Sequence, residues 1–345
     1  MENRSLQMPD LNRDKDIPPP RLSIVRSPSV IRPTSDFRIR LADESFHAAM
    51  LVCGAAVIAL LGLIVYELIS SSGASIHAFG FKFFVSQNWD PVNDQFGALP
   101  FVYGTLVSSL LALVIAVPLS VGTAVFLTEM CPRMLRGIIS FLVELPAAIP
   151  SVIYGLWAIF ILVPILRVHV EPWLGRYFGW TGLFEGAPFG IGMLAAGVIL
   201  AIMIIPIIAS ITREVMTAVP RQQREAVLAL GATRWEMIRV GVLRNARAGI
   251  LGGVILGLGR ALGETMAVTM VIGNRPEIAK SLFAPGYTMA SVIANEFSEA
   301  TGDLYLSALV EIGLALFLVT IITNAIAQLL VWSITRGTPA RANAQ

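Results

Sequence analysis

The hydrophobic positions of this chain are gathered into six long runs that are separated by shorter polar segments. A helix needs about 20 predominantly apolar residues to cross a hydrocarbon core of ~30 Å, and each of the six runs is long enough. The runs cover residues 47–69, 101–128, 137–166, 189–212, 248–273 and 304–334. This pattern predicts an all-α membrane protein with six transmembrane helices.

Composition supports the assignment to a membrane. Of the 345 residues, 55% are hydrophobic and 14% are charged, whereas about 25% of the residues in soluble domains are charged. The two cysteines and the three histidines are scattered along the sequence. We therefore expect neither a disulfide framework nor a metal site.

The distribution of positive charge predicts which side of the membrane each polar segment faces. Cytoplasmic loops carry an excess of Lys and Arg. With a cytoplasmic N-terminus, the inner segments hold 19 of the 25 Lys and Arg residues and the outer segments hold five. Both termini are therefore expected in the cytoplasm, with residues 1–46 as a disordered tail and residues 335–345 as a short C-terminal tail.

The first run is expected to be separated from the other five by an outer loop over residues 70–100. Five of its aromatic residues are Phe79, Phe81, Phe83, Phe84 and Trp89. They favour an interfacial helix at the lipid headgroups, and a docking surface for an external partner is the alternative. Residues 101–334 are expected to form a core of five spans, interrupted by a polar loop at 213–247 on the cytoplasmic side.

Three charged residues inside the predicted spans are candidates for a transport path. Arg260 and Glu264 are four residues apart, so on a continuous helix they would share a face near mid-membrane. An unpaired Arg there costs at least ~2.5–3.5 kcal/mol. Apolar replacements would remove that cost, which favours a path lining over an internal ion pair. Glu144 precedes Pro146 and Pro150 in the third run, and a structural hydrogen bond is its alternative role.

The chemistry of the Arg260 and Glu264 pair points to an oxyanion. A guanidinium is a planar fork that suits the oxygens of phosphate. Glu264 would repel a fully ionised anion, but it could accept a hydrogen bond from phosphate, which keeps a proton near neutral pH because its second pKa is about 6. This favours phosphate over sulfate. Glu311, near the outer end of the sixth run, is expected to snorkel or to cap rather than to transport.

The 213–247 loop is predicted to hold two short helices outside the bilayer. Gly231 permits a sharp change of direction between them. The residues expected to supply an apolar face are Leu228, Ala229, Leu230, Trp235 and Met237. Another protein could bind this face, and the alternative is a connector that is anchored by its positive charge.

This chain lacks the glycine-lysine pair that a Walker loop uses to bind and split ATP. A Walker loop needs a glycine directly before its lysine, and none of the three lysines, Lys15, Lys82 and Lys280, follows a glycine. If ATP drives transport, the ATPase is therefore another polypeptide, and the cytoplasmic loop would be its point of contact.

Three segments resemble a known family. REAVLALGATRWEMI at 224–238 resembles the cytoplasmic loop signature of permease subunits in binding-protein-dependent ABC importers, which is Glu-Ala-Ala, three residues, then Gly. GLGRALGETMAV at 257–268 and WDPVNDQFGALPFVYGTL at 89–106 are similar to the phosphate-specific permeases of bacterial inner membranes. The general resemblance covers about 101–332. Departures from the loop signature occur at Val227, Gly241 and Arg244.

The resemblance implies a type I ABC importer permease fold and a heteromeric assembly in the inner membrane. The implied partners are a second homologous permease chain, a dimer of ATPase subunits, an extracytoplasmic phosphate-binding protein and the lipid bilayer, with no nucleic acid. ATP and Mg would bind to the ATPase, and no cofactor is expected on this chain. Glu225, Ala226, Gly231 and Ala232 would form the coupling helix in an ATPase groove. Arg260 and Glu264 would line the path.

Three other interpretations remain open from the sequence. The first is a permease of the same class for another oxyanion, such as sulfate or molybdate. The second is an ion-driven secondary transporter, a class that often shows internal repeats with broken helices, and no convincing repeat is visible. A membrane-embedded enzyme is disfavoured because no nucleophile and base, and no metal ligands, stand at helical spacing.

Overall fold

The computed structural model describes residues 37–336, with side chains described over 43–333. Within that range the chain consists of helices and loops, apart from two isolated β-bridges. The helices, numbered here in chain order, are α1 (Phe37–Ser71), α2 (Gly73–Phe79), α3 (Leu99–Met130), α4 (Arg133–Glu144), α5 (Ser151–Thr181), α6 (Met193–Ala218), α7 (Arg221–Ala229), α8 (Arg234–Leu262), α9 (Met266–Thr269), α10 (Met289–Glu296) and α11 (Asp303–Arg336).

Six of these helices are long and apolar enough to cross a membrane, namely α1, α3, α5, α6, α8 and α11. The predicted number of transmembrane helices is therefore confirmed. The tails were predicted at 1–46 and 335–345, but α1 already begins at Phe37 and α11 continues to Arg336. The remainder of both predicted tails lies outside the described residues.

The chain divides into two units, residues 1–61 and 62–345. The described part of the first unit is the beginning of α1, a single helix on which large apolar side chains such as Val52, Ile58 and Leu60 are exposed. A helix that is apolar on every side is typical of a membrane span. All further contacts described below lie within the second unit.

The core of the second unit forms where α3, α6 and α8 pack against one another. Ile199, Ile204 and Ile208 of α6 are fully buried there. On α8, a Cβ atom at Gly257 would lie 2.9 Å from the side chain of Ile208. Small residues at this contact let the two helix backbones approach closely, as in many membrane helix pairs.

The outer loop at 70–100 does contain a short helix, α2, but its aromatic residues do not all face the headgroups as predicted. Phe83 is 0% exposed and packs in a cluster with Phe96 and Phe101, whereas Phe81 is 82% exposed. Trp89 Nε1 donates a hydrogen bond to Glu296 at 2.8 Å. Much of the aromatic content of this loop therefore forms an internal core, which loop hydropathy alone does not distinguish from an interfacial surface.

The third predicted span, 137–166, is not one helix. The helix α4 ends at Glu144, a 3₁₀ turn covers Leu145–Ala148, and α5 begins at Ser151. Pro150 disfavours the helical conformation of the residue before it, and Ile149 is extended, with φ −79° and ψ 130°. The span is therefore α5, and α4 is a separate short helix that exposes apolar side chains along one side.

The fifth predicted span, 248–273, is displaced in the structure. The helix α8 begins at Arg234 and ends at Leu262, and the chain leaves helical conformation before the short helix α9. Likewise α6 continues to Ala218, so Arg213 lies inside a helix rather than in the 213–247 loop. Charged residues can occupy the end turns of a span because their long side chains reach the interface, and a search for apolar runs omits those turns.

Candidate translocation path and coupling loop

Arg260 lies in the last turn of α8, and its side chain is exposed on the surface of this chain. A cation at a helix C-terminus is favourably placed with respect to the helix dipole. The guanidinium interacts electrostatically with the phenol of Tyr154 on α5. Within the described part of the chain it has no ion pair or hydrogen bond. Its donors therefore remain available to a ligand.

Glu264 does not share a helix face with Arg260, which corrects the sequence prediction. The helix α8 ends at Leu262, and Glu264 lies in the non-helical break that follows. Its carboxylate is half-buried and accepts a hydrogen bond from the backbone N–H of Ala267 at 3.4 Å. The two side chains form no salt bridge, so the structure does not support the internal ion pair that was weighed as an alternative. Arg260 and Glu264 therefore lie on opposite sides of the end of α8, four positions apart in the sequence.

A second helix break lies near the first. The backbone of α5 packs closely on α9, since a Cβ atom at Gly155 would lie 3.3 Å from Cα of Ala267. The hydroxyl of Tyr154 donates to the carbonyl of Pro146, in the break between α4 and α5, at 2.8 Å. Tyr154 therefore fixes α5 to the break between α4 and α5. Non-helical backbone at membrane depth is tolerated where it is buried or lines a cavity, and a cavity of ≈ 320 Å³ lies against Pro146 and Tyr154.

Glu144 has a different environment from the other two candidates. Its carboxylate pairs with Arg213 of α6 at 2.5 Å, and both side chains are partly exposed. Glu144 also borders a cavity of ≈ 250 Å³ beside Ser210. This geometry favours the structural role for Glu144, because its charge is used to join α4 to α6. The sequence does not reveal this partner, because the apolar run of α6 ends before Arg213.

The predicted coupling loop folds as two helices joined by a tight turn. The helix α7 ends at Ala229, and Gly231 adopts φ +85°. The second helix starts with a capping box in which Thr233 Oγ1 accepts from the N–H of Glu236, and the carboxylate of Glu236 accepts from the N–H of Thr233 at 2.8 Å. This arrangement satisfies orphan amides at the start of α8.

The tip of this loop exposes apolar side chains. Leu230 is 88% exposed and Trp235 is 63% exposed, and Leu228 is also exposed. Met237 was predicted on the same face, but it is buried in a cluster with Met216 and other apolar residues. An exposed group of large apolar side chains with a polar surround is typical of a protein interaction site. Glu225, Ala226 and Gly231 are exposed at this tip, and Ala232 is half-buried.

Hydrogen bonds that the sequence does not reveal fix α7 to the ends of α3 and α6 and to α8. Arg224 of α7 pairs with Glu129 at the end of α3 at 3.1 Å, and it donates to the carbonyls of Met216 and Val219. The side chain of Asn245 on α8 donates to Gln223 of α7 at 2.9 Å. A displacement of α7 would therefore be passed directly to α3 and α8.

Glu311 is buried, which corrects the expectation that it snorkels to the interface. It is 2% exposed and accepts a hydrogen bond from the hydroxyl of Ser75 on α2. The N–H of Ser75 donates to Ser307 at 3.0 Å. The helix α2 covers this part of α11, and such tertiary contacts cannot be inferred from hydropathy.

A family model and curated relatives both match this chain to components of transport systems. A family model described as "Binding-protein-dependent transport system inner membrane component" matches residues 116–336. The phosphate transport system permease protein PstC of Mesorhizobium japonicum is 49% identical, over 88% of this chain and 94% of its own length. The protein of the same name from Pasteurella multocida is also 49% identical, over 81% and 88%.

Solved structures with the same fold include chains of two ABC transporters. A chain of a bacterial alginate ABC transporter, in complex with an alginate pentasaccharide-bound periplasmic protein, aligns with a TM-score of 0.56 and 18% identity over 84% of this chain and 95% of that chain. A chain of the inward-facing MetNI methionine transporter aligns with a TM-score of 0.50 and 19% identity over 68% and 94%. At these identities the likeness concerns the fold alone.

Proposed function

Because the chain belongs to the family of binding-protein-dependent transport system inner membrane components, we propose that it is the permease subunit that carries inorganic phosphate through an ATP-driven importer. Members of this family are multi-pass permeases of the inner membrane, and ATP hydrolysis takes place on a separate subunit. The chain is therefore a transporter component rather than an enzyme.

The unpaired guanidinium of Arg260 is the observation that supports an anion path most directly. It stands at a helix break, without an ion pair in the described residues. Its planar donors suit an oxyanion, and the nearby carboxylate of Glu264 could accept a hydrogen bond from an anion that still carries a proton. Phosphate has such a proton near neutral pH. The names of the relatives that match most of this chain support the same anion.

The assembly that we propose follows from the family and from the exposed loop tip. Both termini and the loop between α6 and α8 would face the cytoplasm, in agreement with the excess of positive charge in those segments. Glu225, Ala226, Gly231 and Ala232 would contact a dimer of ATPase subunits, which binds ATP and Mg. A second permease chain would complete the path, and an extracytoplasmic phosphate-binding protein would deliver the anion.

Radiolabelled phosphate uptake in a strain that lacks this gene tests the proposal. Expression of the chain is expected to restore uptake, and a large excess of unlabelled sulfate or molybdate should not reduce it. Uptake should stop when cellular ATP is depleted and should continue when only the proton gradient is collapsed. Competition by sulfate would identify another oxyanion permease, and uptake that follows the proton gradient would identify a secondary transporter.

Gly231→Val is expected to uncouple ATP hydrolysis from transport. The site has open space, because nothing lies within 4 Å of an added Cβ, but φ is +85°. A β-branched residue there is strained by ~1–3 kcal/mol, so the turn between α7 and α8 should change shape. Phosphate moved per ATP hydrolysed in proteoliposomes should fall roughly tenfold.

Gly231→Asn is the matched control for this change, since Asn tolerates the left-handed conformation. It should keep most of the transport that Gly231→Val loses. If the Val variant moved as much phosphate per ATP as the unmodified chain, the turn would have no part in coupling.

A further inference from the structure

A charged cavity that the transport path does not use lies where α3 and α6 end and α7 begins. It has a volume of ≈ 630 Å³. Four arginines and two glutamates stand in its wall, namely Arg133, Arg136, Arg221, Arg224, Glu129 and Glu225. Positive side chains therefore outnumber negative ones around this space.

Two of these arginines are used within the protein. Arg224 pairs with Glu129 at 3.1 Å, and Arg136 donates to the carbonyl of Thr128 at 2.9 Å. Arg133 and Arg221 are exposed and have neither a hydrogen bond nor an ion pair in the part of the chain that the structure describes. Glu225 also lines the cavity, and its negative charge offsets part of this positive charge.

The start of α7 adds to the attraction for an anion. Its N-cap position is Pro220, and no side chain caps the first turn. Uncapped amides at a helix N-terminus are suited to bind the oxygens of a phosphate group. Arg221 is the first residue of this nine-residue helix and lines the cavity together with Pro220, so the helix start borders the same cavity.

The cavity continues along the helix that leads into the membrane. A neighbouring cavity of ≈ 530 Å³ shares Thr128, Arg136 and Thr217 with it and reaches Ser210. The two therefore form a groove that begins at the ends of two spans, α3 and α6, and follows α6 inward. Headgroups lie at the ends of transmembrane helices, and basic pockets between such ends are known to bind anionic headgroups.

We propose that this cavity is a second anion site, in which Arg133 and Arg221 hold a phosphate group that belongs to an anionic phospholipid or to free inorganic phosphate. The bound group joins the turn between α3 and α4 to the first turn of α7, and so fixes the position of the coupling loop. The site shares no residue with the Arg260 break and does not depend on which anion the permease carries.

The test compares the purified importer complex with its Arg133→Gln/Arg221→Gln variant. Arg239→Gln/Arg244→Gln is the matched control, because it removes two exposed arginines from the same loop region without touching the cavity wall. In the lipid arm, native mass spectrometry counts phosphatidylglycerol and phosphatidylcholine retained after detergent exchange. In the second arm, equilibrium binding of ³²P-labelled inorganic phosphate is measured on delipidated complex.

A lipid site predicts about fivefold weaker retention of phosphatidylglycerol for each arginine removed, with unchanged phosphatidylcholine and an unaffected control. A free phosphate site predicts instead the loss of one phosphate equivalent per chain in the second arm. Either result supports the proposal and names the source. If the double variant does not assemble, the single Arg133→Gln variant, which lies outside α7, carries the same measurements.

Equal binding of both ligands by the variant and by the unmodified complex would overturn the proposal. Release of the ATPase subunits from the variant, with lipid and phosphate binding unchanged, would also overturn it, because the two arginines would then serve a protein contact. Uptake selectivity is measured separately, so failure of this site leaves the proposed transport function unaffected.

Discussion

Arg260→Gln is expected to lower the initial rate of phosphate uptake by about 10- to 100-fold. The guanidinium has no ion pair or hydrogen bond in the described residues that would hold it for a structural purpose. A hydrogen bond to a charged group contributes ~1.5–3 kcal/mol, and each 1.4 kcal/mol corresponds to about a tenfold change. Uptake of radiolabelled phosphate, normalised to the amount of the chain in the membrane, measures the effect.

Arg239→Gln is the control for this prediction, because it removes an exposed guanidinium from the same helix, α8. It should leave uptake near the unmodified level. Arg260→Lys should be intermediate, since an ammonium keeps the charge but lacks the planar fork. If Arg260→Gln transported as well as Arg239→Gln, the path would not pass the end of α8.

The break that contains Glu264 shows which part of the prediction for this region the structure corrects, namely the geometry of the helix. The region around Arg260 could be identified because a membrane span requires a long apolar run. Charged residues are rare within such runs, so each one is a candidate for a functional role. The prediction that Arg260 and Glu264 share a helix face assumed an unbroken helix. The chain instead leaves the helix after Leu262, and mean hydropathy is insensitive to such an exit.

Tertiary partners were the second kind of feature that the sequence did not reveal. Glu144 pairs with Arg213, 69 positions away in the chain, and Glu311 is covered by Ser75, 236 positions away. Periodicity describes one helix at a time, so it cannot show which charge neutralises another across helices. The loop at 213–247 was more predictable, because turn and capping residues act locally.

These two limits affect the candidate site unequally. Arg260 was predicted from its cost in lipid, and the structure adds that it has no ion pair in the described residues. Glu144 was predicted from the same energetic cost, but its ion pair with Arg213 favours the structural role that was its alternative. A charge inside a span is therefore a strong functional candidate only after its possible partners have been located.

Gly104→Ala is expected to destabilise the protein more than any other glycine-to-alanine change in α3. A Cβ atom there would lie 2.9 Å from the carbonyl carbon of Tyr287 and closer still to its oxygen. The neighbouring backbone is fixed, because the N–H of Met289 donates to Thr105 Oγ1 at 3.0 Å. The added methyl group must push this segment away from α3 and weaken that bond, at a cost of ~1–3 kcal/mol.

Gly122→Ala provides the comparison, since it makes the same change on the same helix where nothing lies within 4 Å of the added Cβ. Alanine is preferred over glycine in a helix by roughly 0.5–1 kcal/mol, so this variant should be unchanged or slightly more stable. The apparent midpoint of thermal unfolding of the detergent-solubilised complex should therefore fall only for Gly104→Ala, by about 2–10 °C. Equal midpoints for the two variants would show that α3 and the segment at Tyr287 are not in close contact in the assembled importer.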